Sequence, residues 1–555
     1  MSDDSRIKLH FMNDVCWSRF RTTYAKGSVF INEQLFAASQ LAEILTVHSS
    51  FEDFVSALRE LNGFFAVVQI TDGSVFLAVD HVRSLPLFYA VRRTEVFVSD
   101  DAHWIREQVR DEEEVDELSV AEFLLTRSVS GRDTLLRSVK QVQAGEAVAL
   151  IPTSEGVRMQ ANRFYEFDHA QTTQPFEELM RRSDLSLTSA FRRLTAYAAG
   201  KTIVVPLGGG LDSRLIMLML KRTGYDKVVS FTYGRPTNQE SEISRKVASE
   251  LGFSWIFIPY SNDLWRDWYK SKQWSEYSRF ANGLCSTPHL QDWPAVWELK
   301  RKELVPPDSI FVPGHLPAPN DVGHRLPVEW LNERNISVDE MASEICKAYC
   351  TLQDWPSHKT LVEPELIRKI ESILRPPAVL TPKQAIDYFD RWSWESSWAK
   401  FMINSVRVYE FWGYRWWLPL WDLEFVHFWR NLPFELRFEK RFERIYVRKL
   451  ETGTTGKPAI TDTSKDNLGP ALVTTLKKLH LHSSARRIRA RHEYDRHHFA
   501  WYGLIPEDDY KRAFHGQENI NTYLANQTIK NILPNYRIPE GLDILPQSSD
   551  AKSQR

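Results

Sequence analysis

The stretch VVPLGGGLDSRL at residues 204–215 constrains the fold of this chain more than any other feature. A short apolar run enters three consecutive glycines, and an aspartate and a serine follow before a helical pattern begins. The alternation continues beyond it, because KTIVVPL, DKVVSFTYG and SWIFIPY read as strands and SRLIMLMLKR and QESEISRKVASELG read as helices. Such alternation predicts an α/β fold with a parallel sheet and crossover helices.

The glycine stretch itself is predicted to bind an anion. In an open α/β sheet, ligands collect at the carboxyl ends of strands, where a helix N-terminus offers free N–H groups. Gly208, Gly209 and Gly210 can adopt positive φ and let the backbone approach a phosphate, while Ser213 can add a hydroxyl donor and Asp212 can hold Mg²⁺. The spacing matches neither GxxxxGK[ST] nor GxGxxG. A plain glycine turn between strand and helix remains the alternative.

The first 150 residues have a different pattern. GFFAVVQI (63–70), SVFLAVD (74–80), PLFYAV (86–91) and GEAVALI (145–151) are short β-branched and aromatic runs, and a helix is predicted at 116–126. We therefore expect one domain over residues 1–170 and an α/β domain over 171–540, mostly helical and tryptophan-rich after about residue 265. Residues 541–555 are expected to form a disordered tail.

Composition and charge exclude several classes of protein. Hydrophobic residues make up 43% and charged residues 26%, with a net charge of -2, so charge favours neither nucleic acid nor a membrane surface. Four scattered cysteines are too few for a disulfide scaffold. MSDDSRIKLH lacks the apolar region of a signal peptide, and charged side chains interrupt the aromatic stretch 411–429. We expect a cytoplasmic protein without a membrane span.

Residues Leu207 to Ser213 resemble the SGGxDS pyrophosphate loop of the asparagine synthetase family, whose members activate a carboxylate by adenylation. Gly209, Gly210, Leu211, Asp212 and Ser213 fit that motif, and Gly208 replaces its first serine. The replacement removes one hydroxyl donor to phosphate, worth about 1 kcal/mol by the usual net value of a hydrogen bond. In the following helix, Glu240 stands where the family carries a glutamate.

A second segment, FVPGHLPAPNDVGH (311–324), resembles the glycine–acid loop of the same family. The resemblance implies that Gly314 lies near the nucleotide and that Asp321 joins Asp212 as the second acid at the metal. His315 stands where the family has a glutamate, and this segment carries extra residues.

A third segment, VRVYEFWGYRWWLPLWD (406–422), resembles the family's DRxSMAxSxExRxPFLD. The match implies a catalytic role for Arg407, while changes at Val406, Arg415 and Trp417 fall near the acceptor region, so aspartate need not be the substrate. Lys465 is the candidate for a lysine that supports the adenylate, with a surface lysine as the alternative.

The amino-terminal motifs LNGFFAVV, VDHVRSLPLFYA, FVSDDAHWI and VQAGEAVAL follow the order of the family's class II glutamine amidotransferase domain, a β-sandwich. The resemblance implies that Asn62 and Gly63 match its glutamine-binding positions. Its nucleophile is a cysteine at position 2, where this chain has Ser2, and Cys16 lies inside the chain. We therefore expect a degenerate amidotransferase-like domain without glutaminase activity.

The resemblance as a whole implies an amide ligase that uses ATP and Mg²⁺ and forms AMP and pyrophosphate. Its catalytic residues would be Asp212, Asp321, Arg407 and Lys465, with Leu207 to Ser213 and Gly314 at the nucleotide. We expect a small-molecule or saccharide carboxylate as substrate, a separate ammonia source, and no nucleic acid despite the basic segment 477–498. A homodimer is left open. The alternatives are an intramolecular amide-forming cyclase of the β-lactam synthetase or lasso-cyclase type, and a non-catalytic scaffold.

Overall fold

The structure, a computed structural model, describes residues 6–12, 16–110, 114–169, 172–236, 238–316, 327, 330, 334–353, 356–437, 440–460, 493–513 and 520–539. Its strands and helices confirm the predicted α/β class, with mostly antiparallel sheets in the first part of the chain, where only β1 and β8 pair in parallel among the described strands, and a parallel sheet in the second. Asp321, Lys465 and the predicted tail at 541–555 lie outside the described residues.

Two sheets occupy the first part of the chain. Their strands are β1 (Ile7–His10), β2 (Ser18–Phe20), β3 (Thr23–Ile31), β4 (Gln34–Ala37), β5 (Asn62–Thr71), β6 (Ser74–Val79), β7 (Phe88–Arg92), β8 (Glu95–Ser99), β9 (Lys140–Gln141), β10 (Glu146–Thr153) and β11 (Gly156–Arg163). One sheet has the order β1-β8-β7-β9, and the other has the order β11-β10-β6-β5-β3-β2 with β4 paired to β3. Val98 of the first sheet and Leu77 of the second share one hydrophobic cluster.

Helices cover the outer face of the larger sheet. The helices of this region are α1 (Ala38–Leu45), α2 (Phe51–Leu58), α3 (Ala102–Gln108) and α4 (Glu117–Thr126). Leu41 of α1 and Phe54 of α2 pack with Val67 and Phe76 of the sheet. Apolar residues pack on both faces of the larger sheet. The sequences of β5, β6 and β10 are therefore continuous apolar runs and do not alternate between apolar and polar residues.

A five-stranded parallel sheet forms the centre of the second part. Its strands are β12 (Ile203–Pro206), β13 (Val228–Gly234), β14 (Ser254–Pro259), β15 (Ile310–Phe311) and β18 (Arg415–Trp416), in the order β14-β13-β12-β15-β18, and a separate pair joins β16 (Ile336–Ser337) to β17 (Val379–Leu380). Helix α5 (Phe176–Ala198) precedes this sheet, and α6 (Leu211–Arg222) and α7 (Gln239–Leu251) connect its first three strands. Gly252 ends α7 at a φ of 73°, as its place in the sequence predicts.

The remaining helices complete the second part. They are α8 (Asn262–Tyr269), α9 (Lys272–Asn282), α10 (Trp293–Arg301), α11 (Val338–Tyr349), α12 (Pro356–Leu374), α13 (Pro382–Trp392), a π-helix (Ser393–Met402), α14 (Val406–Phe411), α15 (Leu423–Arg430), α16 (Phe434–Arg437), α17 (Arg441–Thr455), α18 (Glu507–Ala513) and α19 (Ile520–Ile532), with short 3-10 turns at Ile403–Ser405, Pro419–Trp421 and Trp501–Leu504. Trp416, Trp417 and Trp421 of the aromatic stretch 411–429 are buried in the main core. Within the described ranges, no helix has both the length and the apolar character needed to cross a bilayer.

A buried ion pair of the second part of the chain is hydrogen-bonded to the larger sheet of the first part. Arg193 of α5 binds both carboxylate oxygens of Asp422, at 2.6 and 2.7 Å, and Asp422 also caps α15. Asn62 Nδ2 donates to Asp422 Oδ2 at 3.1 Å, and Asn62 Oδ1 accepts from Leu423 N at 3.0 Å. The amide of Asn62 is therefore used in this junction, whereas the sequence resemblance implied a glutamine-binding role.

Candidate active site

The glycine stretch lies at the carboxyl end of β12, between that strand and α6. Leu207 N donates to the carbonyl of Phe231 at 2.8 Å, which holds the loop against β13. Gly210 is the N-cap of α6 with φ -80° and ψ 178°, and no side chain caps the helix there. The expectation of positive φ is wrong, because none of the three glycines is among the residues with positive φ. Gly210 has extended backbone angles, and what the glycines provide is the absence of side chains.

The absent side chains leave the start of α6 accessible. A Cβ built at Gly210 would meet no heavy atom within 4 Å, and one at Gly208 would lie 3.4 Å from a carboxylate oxygen of Glu240. The first N–H groups of a helix have no partner within the helix and carry its positive dipole end. The arrangement therefore offers bare donors to an anion at the edge where ligands of parallel sheets collect.

Gly314 packs directly on the first turn of α6. A Cβ at Gly314 would stand 2.6 Å from Ser213 N and 3.0 Å from Ser213 Cα, so only glycine fits this approach. The segment is held by Val312 N, which donates to the carbonyl of Val204 at 2.9 Å. The structure thus brings together Gly314, Asp212 and Ser213, which the sequence placed at the nucleotide.

Asp212 is paired with a lysine that the sequence reasoning missed. Lys440 Nζ donates to Asp212 Oδ1 at 2.7 Å, and Glu443 Oε2 lies 3.6 Å from the same Nζ. Burial would raise the pKa of Asp212, but attraction and hydrogen bonding to Lys440, together with a hydrogen bond to Glu443, outweigh burial and lower that pKa. Burial and the charge of Asp212 raise the pKa of Glu443 well above its ordinary value, which favours the neutral form of Glu443.

A buried arginine fixes the glycine loop from behind. Arg214 Nη1 donates to the carbonyl of Ile460 at 2.6 Å and lies 3.4 Å from Glu451 Oε2, while its Nη2 donates to the carbonyl of Gly209 at 3.4 Å. The side chain is almost fully buried. The sequence pattern around Arg214 is that of an ordinary helix. The one signal for its role is its position directly after Asp212 and Ser213.

Arg407 lies away from the glycine loop. Its guanidinium donates to Glu410 and stands 3.8 Å from the ring centroid of Phe280. Glu410 also accepts from Lys26 of β3, so this group links α14 to the antiparallel sheets. Neither Glu410 nor Phe280 belongs to the glycine loop, and the catalytic assignment of Arg407 remains a prediction from resemblance.

The metal-binding prediction can be tested on Asp212 alone, because Asp321 is outside the described residues. A carboxylate in the first turn of a helix that faces phosphates is a suitable ligand for Mg²⁺. Within the part of the chain that the structure describes, no group of three His, Cys, Asp or Glu side chains is arranged to hold a metal ion. A single carboxylate such as Asp212 suits a magnesium ion whose other ligands are phosphate oxygens and water.

Comparison with known families gives one match. Residues 32–165 match the model of the glutamine amidotransferase domain. The match covers β4 to β11 and begins after Ser2 and Cys16. No curated protein matches the chain.

Among solved structures, the chain is similar to three enzymes at low identity. An NH3-dependent NAD synthetase from Campylobacter jejuni is 12% identical, with 27% of this chain and 60% of that one covered and a TM-score of 0.19. A glutamine phosphoribosylpyrophosphate amidotransferase from B. subtilis is 13% identical, with 44% and 72% covered and a TM-score of 0.19. A glutamine-dependent NAD+ synthetase from Acinetobacter baumannii is 13% identical, with 49% and 64% covered and a TM-score of 0.18. Similarities this small support no step of the argument below.

Proposed function

We propose that this protein is an ATP-dependent amide ligase that adenylates a carboxylate, releases pyrophosphate, and transfers an amine or ammonia to the acyl group. The observation that carries the proposal is the uncapped start of α6, lined by glycines without obstructing neighbours and closed on one side by Gly314. Asp212 and Lys440 stand at the same helix start. Binding of a phosphate chain explains this combination better than a simple turn between strand and helix, because a turn needs neither bare donors nor a paired acid and lysine.

In the proposed reaction, an oxygen of the substrate carboxylate attacks the α-phosphorus of ATP, and the bond to the bridging oxygen of pyrophosphate breaks. The N–H groups at the start of α6 and the Ser213 hydroxyl donate to the departing pyrophosphate, whose charge grows as that bond breaks. Mg²⁺ bound at Asp212 would neutralise part of the same charge. These donors are fixed before the reaction, so no reorganisation is needed when the charge appears.

The amino-terminal sheets are proposed to keep an amidotransferase-like fold without its own glutaminase activity. Residues 32–165 match that domain, and the match does not include Ser2 or Cys16. Cys16 is exposed as a residue, but its thiol is partly buried. This burial raises the pKa of the thiol more than the charge of Lys26 lowers it, which makes thiolate formation less favourable. We therefore propose that the amine comes from free ammonia, a partner or the substrate itself.

The direct test is a screen for ATP–pyrophosphate exchange with MgCl2 and a panel of carboxylates that includes L-aspartate, D-glucuronate and D-galacturonate. We expect exchange with at least one carboxylate, and a loss of about 100-fold or more in Asp212→Ala, the scale on which removing one electrostatic group acts. The matched control is Asp226→Ala, an exposed aspartate before β13 at the opposite edge of the sheet. Equal exchange in wild type and Asp212→Ala contradicts the assignment of Asp212.

The same screen separates the alternatives. An intramolecular cyclase gives a product that has lost water relative to its substrate, whereas amidation exchanges a hydroxyl for an amine, so product mass decides between them. No exchange with any carboxylate, together with firm binding of a protein partner, supports the scaffold instead.

A further inference from the structure

A buried carboxylate at the start of α10 has no role in the phosphate chemistry described above. Asp292 is the N-cap residue of α10, yet its side chain accepts no hydrogen bond from that helix. Aspartate at this position ordinarily accepts one from the first turn. Asp292 is 4% exposed, so its charge is kept out of water. Its side chain is therefore turned away from the helix that it precedes.

The two oxygens of Asp292 face a tyrosine and a histidine instead. The Tyr409 hydroxyl donates to Oδ2 at 2.7 Å, and His289 Nδ1 lies 3.3 Å from Oδ1. Among the described residues, neither Oδ1 nor His289 Nδ1 makes a further hydrogen bond. Leaving a buried polar atom unpaired costs about 1–3 kcal/mol, and more for a charged group. With a proton on Nδ1, the two atoms can pair with each other across 3.3 Å, which leaves Nε2 as the nitrogen of His289 that can accept a proton.

Ring contacts place this carboxylate at the carboxyl edge of the parallel sheet. Tyr409, which donates to Asp292, stacks on Phe311 at the end of β15, with ring centroids 4.6 Å apart. Tyr260, whose hydroxyl accepts from the first turn of α10, stacks on Tyr233 near the end of β13 at 5.1 Å. Asp292 therefore lies on the side of the sheet where β13 and β15 end, and the glycine loop follows the same end of β12.

The surroundings of Asp292 suit a positively charged nitrogen. The buried phenol of Tyr409 donates to this carboxylate, and the buried phenol of Tyr260 accepts from the first turn of the helix that Asp292 precedes. Tyr277 donates its hydroxyl to the carbonyl of His289 at 2.9 Å, which fixes the backbone of that histidine. A carboxylate and aromatic rings together attract ammonium groups.

We propose that Asp292, His289 and Tyr409 form the site that receives and deprotonates the amine in the second half-reaction; this inference rests on the proposed ligase function. His289 is the catalytic residue, and Asp292 and Tyr409 are positioning residues. Tyr409 holds the carboxylate, and the carboxylate orients the imidazole so that its Nε2 faces the incoming nitrogen.

The step balances as follows. The amine arrives as R–NH3+, and His289 Nε2 takes one of its protons. The freed lone pair forms the C–N bond to the acyl carbon, and the C–O bond to AMP breaks with its electron pair going to the phosphate oxygen. The second proton on nitrogen passes to solvent, as does the proton on His289, so the products are the amide, AMP and two protons.

The first test separates the two half-reactions in His289→Gln, Asp292→Asn and Tyr409→Phe, using ammonium chloride and the carboxylate that gives the fastest exchange. We expect exchange within about twofold of wild type, while the KM for ammonium rises about tenfold or more in Asp292→Asn. In His289→Gln the kcat for amide formation falls about 100-fold, the usual effect of losing a general base. The control is Tyr269→Phe, a partly buried tyrosine on α8 that packs against Trp274. Equal losses in exchange and amide formation, or no loss of either, overturn the proposal.

The second test does not need ligase activity. The full chain is labelled with 13C at histidine Cε1 and titrated with methylammonium chloride against a sodium chloride reference, and the His289 resonance is assigned by its loss in His289→Gln. We expect methylammonium to shift this resonance in wild type and not in Asp292→Asn. No shift in wild type, or equal shifts in both, overturns the amine site. A shift without any exchange counts against the ligase function and not against the site.

Discussion

Asp212 depends on a lysine that is 228 positions away along the chain. The lysine keeps the carboxylate ionised, because it holds the pKa of Asp212 below its ordinary value despite burial. A carboxylate with a lowered pKa contributes stability above its unfolded pKa, and this contribution is lost as the pH falls through the folded value. Lys440 therefore supports both the fold and the charge that the site needs.

Replacing Lys440 with methionine should affect stability and activity together. We expect Lys440→Met to destabilise the protein by about 1–3 kcal/mol, since a charge-assisted hydrogen bond is lost and a partly buried carboxylate keeps no counter-charge. Exchange activity should fall in parallel. Urea unfolding and ATP–pyrophosphate exchange measure the two effects. Lys449→Met on the same helix removes an exposed side chain 4.0 Å from Glu177 and should change neither. An unaffected Lys440→Met would show that the pair has no role.

For single residues, the sequence predicts which ones lie near the glycine loop better than it predicts their partners from distant segments of the chain. Gly314 was expected beside the loop, and its contact with Ser213 agrees with that expectation. Lys440 and Glu443 are spaced like surface charges on a helix, so nothing in their pattern reveals Asp212 as their neighbour. Asn62 was assigned to glutamine because its motif matched, but tertiary packing turns its amide towards Asp422.

The ion pair between Arg193 of α5 and Asp422, the residue that caps α15, also contacts the larger sheet of the first part. Arg193 is 3% exposed and binds Asp422 through two nitrogens, and it also contacts Glu33 and Glu424. Burial raises the pKa of Asp422 more than Arg193 lowers it, so the carboxylate depends on the arginine to remain ionised. The bidentate geometry explains why an arginine occupies this position.

Truncating Arg193 should loosen this junction. We expect Arg193→Ala to lower the free energy of unfolding by about 3–5 kcal/mol, the cost of leaving a buried charge without its partner. Arg181→Ala on the same helix removes an exposed pair with Glu178 and should cost less than about 1 kcal/mol. Chemical denaturation of the two variants tests the difference. Similar losses for both would mean that Asp422 finds another partner.

Elements with strong periodicity were predictable, and short ones were not. The strands β12, β13 and β14 and the helices α6 and α7 follow from alternating apolar runs and from the helix stop at Gly252. Strands β15 and β18 have two residues each, too few for a pattern to be detected. Their places in the sheet depend on neighbours that are distant in sequence, as with Ile310, which pairs with both Ile203 and Arg415.

Across the whole molecule, His81 marks a contact between the two parts that depends on pH. His81 Nε2 donates to the carbonyl of Trp421 at 2.8 Å, and Trp394 Nε1 donates to the carbonyl of His81 at 2.9 Å. Burial lowers the pKa of His81 to about 4. Between that value and its ordinary pKa, the unfolded chain binds a proton that the folded protein does not, so acidification destabilises the fold through this residue. The buried carboxyl of Asp80 acts in the opposite direction, since burial raises its pKa to about 6.

Comparing wild type with His81→Gln isolates this contribution. Between pH 6 and pH 5, the free energy of unfolding of wild type should fall more steeply with acidification than that of His81→Gln. The difference in slope corresponds to the uptake of close to one proton on unfolding, or about 1 kcal/mol per pH unit. Glutamine can keep a donor near the Trp421 carbonyl without titrating. Urea unfolding at several pH values measures both slopes, and parallel slopes would exclude a neutral buried histidine.

The central claim is that the start of α6 receives pyrophosphate, and the most direct test is calorimetric titration of magnesium pyrophosphate into wild type and Gly210→Ala. The new methyl group would meet no protein atom within 4 Å, so the free energy of unfolding should change by less than about 1 kcal/mol. The same methyl group would occupy the space that the phosphate needs. Gly453→Ala, also in open space but within α17, should stabilise by about 0.4–1 kcal/mol and leave affinity unchanged. We predict an affinity loss of about tenfold or more in Gly210→Ala, which corresponds to about 1.4 kcal/mol. Equal affinity in Gly210→Ala and wild type, or no binding by wild type, would contradict the account.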